Sequence, residues 1–106
     1  SLKLNQDTRQ CFFRRDPNGQ LQGELAYTLL KTHHLIVIDH LMIDPALPSQ
    51  QKNQLTDALF SDLIADAQKR QWLIWTLGPE AILFFKKHPE LKKICFNPRQ
   101  QRETID

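Results

Sequence analysis

The sequence predicts an α/β domain in which a mostly antiparallel mixed sheet carries one long helix and one shorter helix. Three features indicate this fold: a β-branched run at residues 36–43 that ends at Asp44 and Pro45, an amphipathic stretch at residues 55–71, and a second apolar run at residues 72–77. Together they read as a β-loop-α-β unit. In such a unit a helix begins beside the end of a strand, where phosphate-bearing ligands are often held.

The size and charge of the chain limit the classes of function. Its 106 residues can bury one core, so we expect a single domain at residues 1–96 and a polar tail at residues 97–106. The 14 lysines and arginines against 12 acids give a formal charge of +2, which does not favour nucleic acid or a membrane as partner. Cys11 and Cys95 lack metal-ligand spacing, so we expect buried structural thiols and a cytoplasmic location.

The first 44 residues are expected to form an antiparallel meander. We expect strands at residues 2–4, 11–15, 23–30 and 35–43, with turns at residues 16–19 and 31–34. The first turn contains proline and Asn-Gly, which suit tight turns. In the third of these strands Leu25, Tyr27 and Leu29 alternate with more polar residues, so that one face is apolar.

The long helix is predicted by apolar residues at i, i+4 spacing. This stripe consists of Leu55, Leu59, Leu63 and Ala67, widened by Phe60 and Ile64. Since the strand and the helix each have one apolar face, we expect Tyr27 and Leu29 to share a core with Leu59 and Leu63.

The remaining elements follow from helix and strand signals. A strand at residues 72–77 precedes a helix that opens at Gly78 and Pro79, because proline suits the first helical turn. His88 and Pro89 are expected to close this helix, and a last strand is expected at residues 91–96.

This order of elements resembles the GNAT superfamily of acyl-CoA N-acyltransferases, and more closely its small single-domain members. The matching segments are residues 23–29, residues 38–45, the helix that contains Leu59, and residues 84–89. The resemblance implies a GNAT-like fold, acetyl-CoA as the cofactor and an amine as the acyl acceptor.

The resemblance also implies which residues contact the cofactor. In the family a Gln/Arg-x-x-Gly-x-Gly/Ala loop holds the CoA pyrophosphate on backbone N–H groups. When Leu59 and Phe60 are matched to the family's paired leucines, the implied cofactor-binding residues are Ile43, Gln51, Lys52, Asn53, Gln54, Leu55, Thr56 and Phe85. Gln54 and Thr56 fill the two glycine positions, so the resemblance implies weakened pyrophosphate binding.

Two catalytic positions of the family differ in this chain. The small members usually carry a Pro-x-Cys after the helix, where this chain has Thr76, Leu77 and Gly78. Larger members use a tyrosine of the next helix to protonate the CoA thiolate, and Ala81 and Phe85 keep that spacing without a hydroxyl.

His40 is the candidate catalytic residue. It matches a histidine of the small members, and an imidazole can accept a proton from an amine near neutral pH. Glu24 and Asp39 are further candidate bases, whereas His33 and His34 lie in a predicted turn without the spacing of a metal site.

Two functions therefore remain open. One is an acetyl-CoA-dependent N-acetyltransferase with low or lost activity, in which the amine attacks the thioester directly without an acyl-enzyme. The other is a GNAT-fold module without catalysis that binds a ligand or a protein.

Overall fold

The structure is a computed structural model that describes residues 7–98. Its elements in chain order are β1 (Asp7–Arg15), β2 (Leu21–Leu30), β3 (Leu35–Ile43), α1 (Ser49–Arg70), β4 (Leu73–Trp75), α2 (Pro79–Lys86), a 3₁₀ helix (Pro89–Ile94) and β5 (Cys95–Phe96). The predicted strand at residues 2–4 and the predicted tail from residue 99 onward lie outside the described residues. The strands form one five-stranded mixed sheet in the order β1-β2-β3-β4-β5, which confirms the α/β prediction.

The antiparallel meander is confirmed. β1 pairs with β2 and β2 with β3, both antiparallel. Asp16 organises the first turn, because its carboxylate accepts the backbone N–H groups of Asn18 at 2.9 Å and Gln20 at 2.8 Å. Such side-chain bonds to the following backbone are the reason that aspartate favours turns. The hairpin is therefore specified locally.

The β-loop-α-β unit is also confirmed, but β4 is shorter than predicted. It pairs with β3 in parallel over Leu73–Trp75 instead of residues 72–77. Trp72 lies between α1 and β4, and its N–H donates back to the carbonyl of Ala67 in the last turn of α1 at 3.0 Å. Gln71 adopts a left-handed φ of 63° there, as is common where helices end.

The predicted helix start at residue 55 is wrong. α1 begins at Ser49, and the N–H of Lys52 already donates to the carbonyl of Pro48 at 3.0 Å. Proline suits this boundary, since its φ is restricted and it lacks an N–H. The first turns are polar, so the apolar period gave no signal before Leu55.

The predicted last strand at residues 91–96 is mostly wrong. Residues Pro89–Ile94 form the 3₁₀ helix, and only Cys95–Phe96 pair with β4. The N–H of Leu91 donates to the carbonyl of His88 at 2.9 Å, which closes the first turn. A proline early in the segment favours this turn over an extended strand.

The core lies between the sheet and the two helices. Tyr27 and Leu29 share it with Leu59 and Leu63, so the predicted face-to-face packing is confirmed. Phe60 joins the helices to each other, and the centroid of its ring lies 4.5 Å from that of Phe84 and 6.0 Å from that of Phe85.

The expectation of buried thiols is wrong for Cys11. Cys11 is exposed, while Cys95 is partly buried and its Sγ lies 3.5 Å from the carbonyl oxygen of Leu91. In β1 the neighbouring Phe12 turns to the core, where it stacks on Tyr27 at 5.2 Å. Because successive side chains of a strand point to opposite faces, Cys11 lies on the face without helices. Burial raises the pKa of the Cys95 thiol.

Replacing Leu59 by alanine tests the packing of α1. Leu59 is fully buried, so Leu59→Ala should lower the free energy of unfolding by about 2–5 kcal/mol in urea denaturation. Ile82→Ala is the matched control, because Ile82 is 55% exposed on α2 and its truncation should change stability by less than about 0.5 kcal/mol. Equal effects of the two substitutions would contradict this packing.

Tyr27 should make the fold sensitive to alkali. Burial, followed by the charge of Asp66, raises the pKa of Tyr27 above its ordinary value of 10.0. The folded state then holds the phenolic proton more tightly than the unfolded state. The stabilisation that the Tyr27 phenol contributes is therefore complete below pH 10, and it is lost as the pH rises through the folded-state pKa of Tyr27. In urea unfolding measured above pH 10, the free energy of unfolding of Tyr27→Phe should fall less steeply with pH than that of the unmodified protein. Equal slopes in the two proteins would contradict the assignment of this effect to Tyr27.

Candidate functional site

A gap opens in the sheet where β3 and β4 separate. The two strands pair only from Leu35 to Val37 on the β3 side. Beyond that point β3 continues to Ile43, whereas the chain after β4 turns at Gly78 into α2. Ligands of sheets with parallel strands commonly bind outside the carboxyl ends of those strands. The gap is therefore the first candidate for a site.

A β-bulge lies beside this gap. The register between β2 and β3 passes from Ala26 opposite His40 to Tyr27 opposite Ile38, so Asp39 is the extra residue. A bulge interrupts the ladder and bends the strand, and bulges are frequent next to active sites. This one bends β3 close to where its pairing with β4 ends.

The larger cleft at the gap has a volume of about 410 Å³, within the range of about 300–1,000 Å³ typical of small-molecule sites. Its floor includes Leu41 of β3. α1 contributes Asn53, Thr56 and Asp57, and α2 contributes Glu80, Leu83 and Phe84. The cleft is completed by Lys87 and His88. It combines an apolar wall with groups of both charges.

A smaller cavity of about 200 Å³ continues from this cleft and includes His40. The two cavities share Leu41 and Glu80. Gly78 lies in the wall of the smaller cavity, at the start of α2. The structure therefore brings His40 to the gap, although His40 does not line the larger cleft.

His40 is paired with Glu24 across two strands. Its Nε2 lies 3.4 Å from Oε2 of Glu24, and the two side chains are 54% and 30% exposed. Asp39 is engaged differently, because it accepts the hydroxyl of Thr28 at 2.8 Å and lies 3.6 Å from Arg9. Of the three candidate bases, His40 is the one that has a carboxylate partner.

The predicted pyrophosphate loop is helical. Gln51, Lys52, Asn53, Gln54, Leu55 and Thr56 all lie within α1. In a helix only the first few N–H groups remain free of internal bonds. Since the N–H of Lys52 already donates to Pro48, the free groups at this end are those of Ser49, Gln50 and Gln51. Most of the implied loop therefore cannot bind phosphate through its backbone.

Helical rotation also divides the side chains of this segment. Asn53 and Thr56 line the larger cleft. Gln51, Gln54 and Leu55 line a separate depression of about 300 Å³ together with Gln22. The segment thus lines two different surfaces.

The other implied cofactor contacts lie in or near the core. Phe85 is only 9% exposed and meets Phe60 edge-on. Ile43 packs against the core cluster. The carbonyl of Lys52 accepts the hydroxyl of Thr56 at 2.8 Å, so this hydroxyl is already used within the helix.

His88 is a cleft residue that the sequence analysis treated only as a helix end. Its ring lies 4.5 Å from that of Phe84, and its Nδ1 lies 3.2 Å from Oε2 of Glu90. The backbone N–H of Glu90 and then His88 lower the pKa of the Glu90 carboxyl. Glu80, Phe84 and His88 follow one another at i, i+4 spacing, and this helical spacing was the signal that could have identified the face.

In residues 7–98 no group of three or more His, Cys, Asp or Glu side chains is placed to hold a metal ion. No helix within the same range is long and apolar enough to cross a membrane. Comparisons with protein-family models and with curated proteins found no match to this chain.

The two glycines with positive φ separate an effect on the cleft from a general loss of stability. Gly78 has a φ of 89° at the cavity wall, and Gly19 has a φ of 86° in the hairpin turn. Alanine is strained at both, so Gly78→Ala and Gly19→Ala should each cost about 1–3 kcal/mol in thermal unfolding. Only Gly78→Ala should shift the amide resonances of Leu41 and Glu80, and equal shifts in both variants would contradict the cavity assignment.

Proposed function

We propose that the protein is a GNAT-like acyl-CoA N-acetyltransferase whose activity is low or lost, and that it holds the acylated arm of acetyl-CoA in the larger cleft. The observation that carries this proposal is the separation of β3 from β4 after Val37, which opens a gap beside His40. The order of elements supports it, because it follows the resemblance drawn from the sequence. Acetyl-CoA is the cofactor and an amine is the acceptor.

The cleft suits a long, mixed-polarity group such as the pantetheine arm. Leu83 and Phe84 offer an apolar wall, and Asn53 offers an amide that can bond to the amides of the arm. Sites of this kind bind through apolar contact and a few placed polar groups. The bulge at Asp39 interrupts the ladder nearby, where backbone groups can reach a thioester carbonyl.

Pyrophosphate binding is expected to be weak. The first turn of α1 contains no acidic residue, which favours an anion at its free N–H groups. Asp57 and Glu80 in the cleft oppose a diphosphate, and Lys87 offsets only part of their charge. We therefore expect a dissociation constant for acetyl-CoA above about 1 μM.

The proposed chemistry is direct transfer. The amine nitrogen attacks the thioester carbonyl, His40 takes the amine proton, and CoA leaves as a thiolate that solvent protonates. Oε2 of Glu24 lies 3.4 Å from Nε2 of His40 and orients the ring for this step. Phe85 is buried and carries no acidic proton, and loss of one general acid lowers rates by roughly 10²–10⁴.

A second function is favoured by the composition of the cleft. Its described lining contains neither a cysteine nor a tyrosine. A binding module that uses the same cleft without transfer would need neither. Both functions predict that a ligand binds in the cleft, and only the first predicts turnover. Acetyl-CoA can therefore test both.

Two neighbouring residues of α2 test where acetyl-CoA binds. Leu83 lines the cleft and is 53% exposed, whereas Ile82 is 55% exposed and is not part of that lining. Leu83→Trp should weaken binding about tenfold or more in calorimetric titration, equivalent to about 1.4 kcal/mol. Ile82→Trp should leave binding unchanged. Equal effects, or no heat with the unmodified protein, would contradict the assignment of the cleft.

Histidine variants test the chemistry. Free thiol release from acetyl-CoA should be slow with a panel of amines, and His40→Ala should reduce it further. His88→Ala measures what a histidine of the larger cleft contributes to thiol release. His33→Ala is the control, because His33 is exposed in a turn. Rapid turnover that survives His40→Ala would refute its role. Binding without any thiol release would favour the module without catalysis.

A further inference from the structure

Within residues 7–98, β1 has one unpaired edge. It is the first strand in the sheet order and pairs with β2 alone among the described residues. The N–H of Asp16 donates to the carbonyl of Gln20, so the even-numbered residues of β1 direct their backbone groups toward β2. The pairing of β1 with β2 has one irregularity, where Gln22 of β2 has no residue opposite it. The extra residue is in β2, so the alternation of backbone directions along β1 continues to Arg15. The odd-numbered residues therefore direct N–H and C=O groups outward, ready to pair with another strand.

The side chains beside these outward groups are exposed. Arg9, Cys11 and Phe13 lie on the face without helices, and Phe13 is 48% exposed. Arg9 lies 3.6 Å from Asp39, and its side chain is 76% exposed, so most of it is open to a partner. Phe13 already carries the guanidinium of Arg15 on its ring at 5.2 Å. Because Phe13 is nearly half exposed, its ring remains accessible on a charged edge.

We propose that two copies of this chain associate through β1, antiparallel and about a two-fold axis at Cys11. Cys11 is the midpoint of Asp7–Arg15, so this register pairs the whole strand and joins the two sheets into one. The occupant of the edge is a second copy because the strand is complementary to itself in this register.

The complementarity can be read across the axis. Arg9 lies opposite Phe13 of the second copy, which allows one cation–π contact on each side of the axis. An axis at Phe12 would instead place Arg9 opposite Arg15 of the second copy and would pair a shorter stretch. Like charges directly opposite each other are unfavourable.

The remaining arginine of β1 does not oppose this pairing. Arg14 points to the helix face, where its guanidinium lies 2.7 Å from the carboxylate of Asp62. Its charge is therefore paired within the chain. The cleft is lined from β3 and the helices, and β2 separates β3 from β1 in the sheet, so the dimer does not depend on the proposed acetyl-CoA site.

The oligomeric state tests the proposal directly. Sedimentation velocity over a range of concentrations should show a monomer–dimer equilibrium. Cys11→Pro removes an N–H that points away from β2, its one neighbouring strand in the described part of the chain. Proline is tolerated on edge strands, so the variant should fold and remain monomeric. Cys11→Ser is the matched control and should still dimerise. Phe13→Lys, an exposed substitution that places like charges opposite each other at Arg9 of the second copy, should weaken the dimer at least tenfold while circular dichroism stays unchanged.

Disulfide trapping tests the register. In a Cys11→Ser and Cys95→Ser background, chains with Arg9→Cys mixed with chains with Phe13→Cys should cross-link when copper–phenanthroline is the oxidant. Chains with Arg9→Cys alone should not, because their thiols lie about 13 Å apart along the strand. A monomer at every concentration, a dimer unaffected by Cys11→Pro, or cross-linking of Arg9→Cys chains with themselves would overturn the proposal.

Discussion

The packing of α1 on the sheet is the contact on which the rest of the structure depends. Leu59, Phe60 and Leu63 are fully buried in this interface. Phe60 also contacts the rings of Phe84 and Phe85, so the position of α2 is set through α1. Because interiors are close-packed, a shift of one ring cannot be absorbed without moving its neighbours. The separation of the two helices, and with it the width of the cleft, follows from these aromatic contacts.

The same packing explains why the sheet opens beside His40. The chain leaves the sheet after Trp75 to begin α2 at Pro79, which packs against α1. β4 is therefore too short to accompany β3 to its end, and the bulge at Asp39 bends β3 near the place where the pairing stops. Stabilising contacts and the candidate site are thus two consequences of one arrangement. Both helices cover one face, and the other face is left with the Arg9, Thr28 and Asp39 network.

Much of the fold could be predicted from local patterns. Alternation along β2 and i, i+4 spacing along α1 identified the two apolar faces that meet in the core. The errors lie at boundaries. The first turns of α1, from Ser49, are polar and show no apolar spacing. The N–H of Trp72 donates to the last turn of α1, although its side chain suits a strand. These boundaries depend on which backbone groups find partners, and composition does not reveal that.

The sequence by itself determined the order of the elements, the apolar face of each, and His40 as a candidate base. Only the tertiary structure decided which side chains share a cavity. It separated Asn53 from Gln54 by helical rotation, placed His88 in the cleft, and paired His40 with Glu24. The reason is physical: local propensity acts between neighbours in the chain, whereas a site depends on the distance and angle between elements. Those quantities come from the packing of α1 and α2 against the sheet.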